Sequence, residues 1–214
     1  MIEHRGKLVG ERARAKNGIR ALLRTHGIVP TRRLWSKAGR AWLRSAELPT
    51  ELYGFQYQML LERLESLTGM IQRVERLLAS YSDKHPGVAL LMTIPGVGLR
   101  TAEAVVAYID CAGRFHSNKS IGRYFGIVPS QDESAGRNRL GHITREGPST
   151  VRGLAVEAAW QGVRRSSRIQ AYFERIRGDN PKRRKIALVA TAHYLLRVML
   201  AMLRTGEVWR EEAA

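Results

Sequence analysis

The chain has 214 residues, 44% of them hydrophobic, which is enough to fill at least one packed core and excludes a disordered tail. Lys and Arg outnumber Asp and Glu by 36 to 19, a formal net charge of +17, and the pI near 11.0 lies far from the usual range of enzymes acting on small metabolites. Such an excess implies a polyanionic partner. Nucleic acid stands ahead of a membrane surface, because the cations are spread along the whole chain and no Lys-rich, Trp-bearing amphipathic terminus is present.

Residues 1 to 26 read as a basic helix in which Leu8, Ile19, Leu22 and Leu23 alternate with arginines and lysines, ended by Gly27 and Pro30. The opening MIEHRGKLVG carries no apolar run of a secretory signal, so a cytoplasmic protein is expected. A short piece with Trp35, Trp42 and Leu43 leads to a helix start at Pro49 and Thr50. From there Tyr53, Tyr57, Leu60, Leu64, Leu67, Ile71, Val74 and Leu78 fall at alternating spacings of four and three. This a/d seam fits two arrangements equally: a hairpin with the basic helix, or a coiled coil between chains that makes a homo-oligomer.

A second region begins near Pro86, and the expected division is 1–85 and 86–214. Helices are expected at Val88–Thr93, Leu99–Ile109, Ser117–Phe125, Val151–Arg165, Ser167–Arg177 and Pro181–Arg204, with a Gly-, Ser- and Arg-rich loop between Pro129 and Pro148. Strand signals are weak, so the fold class is all-α: a long helical or coiled-coil hairpin followed by a C-terminal helical domain. The apolar run Ile186–Leu203 contains His193 and Arg197 and follows PKRRK, which favours a buried core helix over a membrane span. Cys111 is the only cysteine, and the six histidines show no ligand spacing. No metal site or cofactor of the chain's own is expected.

Within LLMTIPGVGLRTAEAVVAYI, Leu90 to Ile109, Pro95, Gly96, Val97 and Gly98 form a tight turn between two helices, with Ala102, Val105, Val106 and Ile109 facing inward. A dinucleotide fingerprint is excluded, since Thr101 stands where a third glycine belongs. The amides at the start of the second helix suit backbone phosphate, and Arg100 adds a charge. The turn therefore resembles a helix-hairpin-helix motif that grips DNA without reading its sequence.

The segment RFHSNKSIGRYFGIVPSQDESAGRNRLGHITREGPSTVRGLAVEAAW, Arg114 to Trp160, extends the resemblance. Its elements F.S…IGRYFGIVP, SAG…LGHIT..G and VR.L..EAAW, with IPGVG…TA before them, resemble the C-terminal domain of the bridge-RNA-guided transposases of the insertion-sequence one-ten family, relatives of the Piv invertase. The resemblance implies that Ser134 is the nucleophile taking a cleaved DNA end as phosphoserine. It further implies DNA as substrate, a guide RNA as partner, and Mg2+ held by an acidic N-terminal domain that these residues do not include. Arg137, Arg139, Arg145 and Arg152 would clamp the phosphate and His142 assist proton transfer. Ala135 and Pro148 stand where the family usually has Gly and Asn. Ser149 and Thr150 are expected to cap the next helix, with Leu154, Ala158 and Trp160 in the core and Arg152 facing DNA. The other readings are a DNA-binding helical protein without catalysis, dimerised by the coiled coil, and a repair factor preferring branched DNA.

Overall fold

The structure is a computed structural model that describes residues 1–31, 33–134 and 137–211, with residues 132–134 and 137–140 described by their backbone alone. Among the described residues it holds nine α-helices and one two-stranded antiparallel sheet, so the all-α class stands. Two compact units, Met1–Ala79 and Ser80–Ala214, divide inside the third helix, whereas the sequence places the division after residue 85.

The first unit contains α1 (Ile2–Thr25), α2 (Lys37–Ser45) and most of α3 (Glu51–Ser82). Thr50 Oγ1 accepts from the Tyr53 amide at the start of α3, and Ser36 caps α2. Leu8, Ala15, Ile19 and Leu23 of α1 share one core with Leu43 of α2 and with Tyr57, Leu64, Leu67, Ile71 and Val74 of α3. From Tyr57 to Leu78 the a/d seam thus packs within one chain, with Tyr53 exposed at its start, and the hairpin is the arrangement observed. Arg5 pairs with Glu75 and Arg63 with Glu11, which sets α1 antiparallel to α3. Burial pushes the Tyr57 phenol up to about 12, while its hydroxyl donates to the Leu43 carbonyl at 2.9 Å. Away from the seam α3 exposes Leu52, Phe55, Met59, Met70 and Leu77.

The second unit contains α4 (Pro86–Met92), α5 (Leu99–Ile109), a 3-10 turn at Ala112–Arg114, α6 (Ser120–Tyr124), β1 (Pro129–Ser134), β2 (Arg137–Ile143), α7 (Ser149–Gly162), α8 (Ser167–Arg177), a 3-10 turn at Pro181–Arg183 and α9 (Arg184–Thr205). Helices α4 to α8 all pack on α9, which buries Ala187, Thr191, Ala192, Leu195, Leu196, Met199, Leu200 and Met202. Its apolarity is that of a core helix on its packed face. By length and composition alone, α9 would pass for a membrane span.

Two expectations are corrected. The loop between Pro129 and Pro148 contains a β-hairpin, because QDES and RNRLGHI pair through their backbones without the apolar alternation that marks a half-buried strand. Ser149 and Thr150 do not cap α7: the helix opens at Ser149 itself, with Pro148 at the N-cap in extended geometry and no side-chain bond to the first turn. Proline holds the approach to the helix rather than satisfying its amides.

Beyond α9 the chain turns at Gly206 and runs back as a strap. The Trp209 amide donates to Thr93 Oγ1, its indole donates to the Glu211 carboxylate at 2.9 Å, and the Arg168 guanidinium lies 4.8 Å from the indole centre. The bond from Trp209, with further bonds from Ser166 and Ser167, holds the Glu211 carboxyl down at about 2. A depressed carboxyl stabilises the fold above its ordinary value of 4.5, and that contribution fades as pH falls through 4.5 toward 2. Fluorescence of Trp209, in a variant with Phe at positions 35, 42 and 160, should therefore change below pH 4.5. In Glu211→Gln the change should be absent.

Candidate nucleic-acid interface and serine hairpin

Helices α4 and α5 flank the turn 93–98, in which Ile94 and Val97 are buried. Gly96 has φ +94°, and a Cβ there would meet the Gly162 nitrogen at 2.4 Å and the Ala158 oxygen at 2.7 Å. The glycine is therefore seated against the C-terminal turn of α7. Gly98 is different: it caps α5 with an ordinary φ of −93°, is exposed, and has nothing within 4 Å of where a Cβ would lie. No side chain caps the first-turn amides of α5 at that residue.

Arg100 is already engaged. Its Nη1 donates to both carboxylate oxygens of Glu103, at 3.0 and 2.7 Å, and Glu103 is buried and also accepts from Ser82 Oγ at 2.6 Å. The guanidinium neutralises a buried carboxylate, a pairing that is costly to break.

The hairpin grows from a closely interlocked base. Phe125 and Ile127 are buried on either side of Gly126, whose φ is +60° and whose Cβ would meet the Glu146 oxygen at 2.1 Å. A Cβ on Gly147 would meet the Tyr124 oxygen at 2.3 Å. The Thr144 amide donates to the Val128 carbonyl and the Arg145 amide to the Gly126 carbonyl, at 2.9 and 3.1 Å. The two motifs RYFGIVP and GHITREG thus meet backbone to backbone. Arg152 joins them to α7, with Nη1 donating to the carbonyls of Phe125, Glu146 and Gly147 at 3.1, 2.6 and 3.0 Å. Arg152 is half-buried and its Nη1 is an internal tie, while Arg145 is exposed.

Ser134 is the last residue of β1, in register with Arg137, and Asp132 stands opposite Arg139. The side chains of Ser134, Arg137 and Arg139 lie outside the described residues, as do Ala135 and Gly136 altogether. His142 follows Arg137 by five residues along β2, so at ~3.3 Å per residue it sits about 16 Å along the strand from the Ser134 level. It is exposed there beside a cavity of about 600 Å3 lined by Ile127, Pro129, Ile143, Arg145, Lys185 and Val189. Sequence reasoning missed this cavity, whose walls come from segments forty residues or more apart. Among the described residues no group of three or more His, Cys, Asp or Glu gathers to hold a metal.

The resemblance of the motifs is matched by known proteins. Residues 88–174 match the family model described as Transposase IS116/IS110/IS902 family. The chain is 28% identical over 220 residues to a protein of Pseudomonas aeruginosa named "Probable family 20 transposase", which covers 96% of this chain and 63% of that protein. It is 31% identical over 161 residues to the transposase for insertion sequence element IS1328 of Yersinia enterocolitica, covering 72% of this chain and 46% of the relative. With the transposase for insertion sequence element IS1111A of Coxiella burnetii it shares 28% identity over 229 residues, covering 98% of this chain and 59% of the relative. The chain spans about half to two thirds of the length of these relatives. The stretch from α4 into α8, together with these relatives, supports the IS116/IS110/IS902 transposases as the family of this chain.

Proposed function

We propose that the chain is the DNA-handling portion of an insertion-sequence transposase of that family, carrying the serine half of a composite active site. The observation that carries the reading is the coincidence of the family match, 88–174, with a hairpin that is anchored at its base and bears Ser134 at the end of its first strand. In this reading Ser134 Oγ forms a bond to a DNA phosphorus, the bridging P–O bond breaks, and the serine proton passes to the departing sugar oxygen. Arg137 and Arg139, beside Ser134 in the ladder, stabilise the charge developing on the phosphate, while Arg145, at the base of the hairpin, meets the DNA backbone away from the reacting phosphorus. Arg100 and Arg152 position the frame around the site, because their donors are committed to Glu103 and to three carbonyls.

Magnesium and the carboxylates that hold it come, on this reading, from outside these 214 residues. DNA and a guide RNA are the partners, and Gly98 at the head of α5 takes a backbone phosphate. Pairing between chains would use the exposed Leu52, Phe55, Met59, Met70 and Leu77 of α3, since the a/d seam is already buried. The test is covalent capture. Mixed with a protein supplying the acidic domain and a nicked target, the unaltered chain should form a protein–DNA adduct, and Ser134→Ala should abolish it. An adduct of undiminished yield with Ser134→Ala overturns the assignment.

A further inference from the structure

Trp160 reads from sequence as a core residue, and the run PKRRK, 181–185, has no role in the serine hairpin. In the structure Trp160 is half-buried in the wall of a cavity of about 730 Å3, shared with Arg164, Phe173, Arg177, Asp179 and Arg184. The cavity lies where the end of α7, the end of α8 and the start of α9 come together.

Two guanidinium groups lie over the same indole, with Arg164 Cζ at 4.8 Å and Arg184 Cζ at 4.7 Å from the ring centre. Among the described residues neither forms an ion pair, whereas Arg177 pairs with Glu174 at 2.5 Å. Stacking on an aromatic face fixes the plane of a guanidinium and leaves its in-plane N–H donors directed outward. Like charges near one ring repel, so an anion accepting from either guanidinium relieves the site. Arg165, Lys182 and Arg183, next in sequence to its lining residues, are exposed and raise the local positive potential. Asp179, exposed at the rim, offers an acceptor for a base amino group or a sugar hydroxyl.

The volume falls within the ordinary range for small-ligand sites, ~300–1,000 Å3, and suits a nucleotide but not a duplex. A cationic groove with an aromatic platform is the usual means of holding unpaired strands.

We infer that this basin holds an unpaired nucleotide of a nucleic-acid strand, its phosphate accepting from the guanidinium groups of Arg164 and Arg184 and its base extending the arginine–indole stack. The inference rests on the nucleic-acid reading above and assigns it a second point of attachment, for single strands, built by residues that the Ser134 hairpin does not use. DNA and RNA strands share the required chemistry, and the experiment separates them.

The full chain is titrated, by fluorescence anisotropy, with a labelled oligo-dT, an oligo-U and a DNA duplex of equal length. Arg164→Ala combined with Arg184→Ala should weaken binding of at least one single strand by about tenfold or more, while duplex binding changes much less. The salt slope for that strand should fall by about 0.7 for each phosphate no longer neutralised. Trp160→Ala should reproduce the weakening and Trp160→Phe should recover most of the affinity, which a simple charge effect would not do. Arg184→Ala alone, at an exposed position, serves if melting shows that the double variant is unfolded. Weakening on both single strands assigns the shared chemistry, and weakening on one assigns that strand.

Equal weakening on single strands and duplex, or none on either single strand, overturns the inference. In that case a Ser134-dependent adduct would still stand, so the two readings fail separately.

Discussion

Gly126→Ala should lower the melting temperature of the Ser80–Ala214 unit by roughly ten degrees and take the Ser134-dependent adduct with it. Two costs combine. The backbone at Gly126 has φ +60°, where an L side chain loses about 1–2 kcal/mol. The new methyl would also lie 2.1 Å from the Glu146 oxygen and 2.3 Å from its nitrogen. Those atoms cannot swing aside as a flexible side chain would, because Arg152 and the Arg145 amide hold that segment. Overpacking of this kind costs about 1–3 kcal/mol, and the sum is a large share of an ordinary domain's stability. The measurement is thermal melting by circular dichroism, with adduct yield on the same sample. Melting unchanged to within two degrees or so would contradict the close approach of the two motifs.

The second large effect separates two glycines that look alike in sequence. Gly96→Ala should destabilise the same unit by about 2–5 kcal/mol, because its φ of +94° is strained for alanine and its methyl would strike the backbone of α7 at Gly162 and Ala158. Gly98→Ala meets nothing within 4 Å and has an ordinary φ, so stability should change by only about 1 kcal/mol. A larger residue there, such as Gly98→Leu, should nonetheless weaken duplex binding by screening the first-turn amides of α5 from phosphate. It should also reduce the salt slope by about 0.9 for each phosphate that the protein ceases to neutralise. Chemical denaturation of both variants, beside salt-dependent DNA titration of Gly98→Leu, checks the pair. Unaltered DNA affinity in Gly98→Leu would remove α5 from the interface.

Much of the helical frame was legible because helix signals are local. Leu99–Ile109 and Ser167–Arg177 lie where apolar periodicity and flanking turns place them, and the inward positions Ala102, Val105, Val106 and Ile109 are all buried. The β-hairpin was not legible, since its ladder joins polar residues whose pairing leaves no apolar alternation. Trp160 was misread for a related reason: apolar character marks a residue as suited to burial but does not say whether a cavity opens beside it.

The nominated arginines divide in the same way. From sequence Arg100, Arg145 and Arg152 are equivalent cations near a phosphate-binding motif. In the fold, Arg100 faces a carboxylate three residues ahead, Arg152 reaches the carbonyls of Phe125, Glu146 and Gly147, and Arg145 faces solvent. Charge is a property of the residue, but its availability depends on which acceptors the chain brings within hydrogen-bond reach.

By itself, then, the sequence determined the basic helical character, the a/d seam, the break at Pro95–Gly98 and the motifs that point to an insertion-sequence transposase. These depend on residue type and on spacing within a few turns of helix. Only the tertiary structure decided that the seam closes within the chain, that Gly96 is seated against α7 while Gly98 stays open, and that Arg164 and Arg184 meet over Trp160. Those outcomes depend on contacts between segments distant in sequence, which local patterns do not encode.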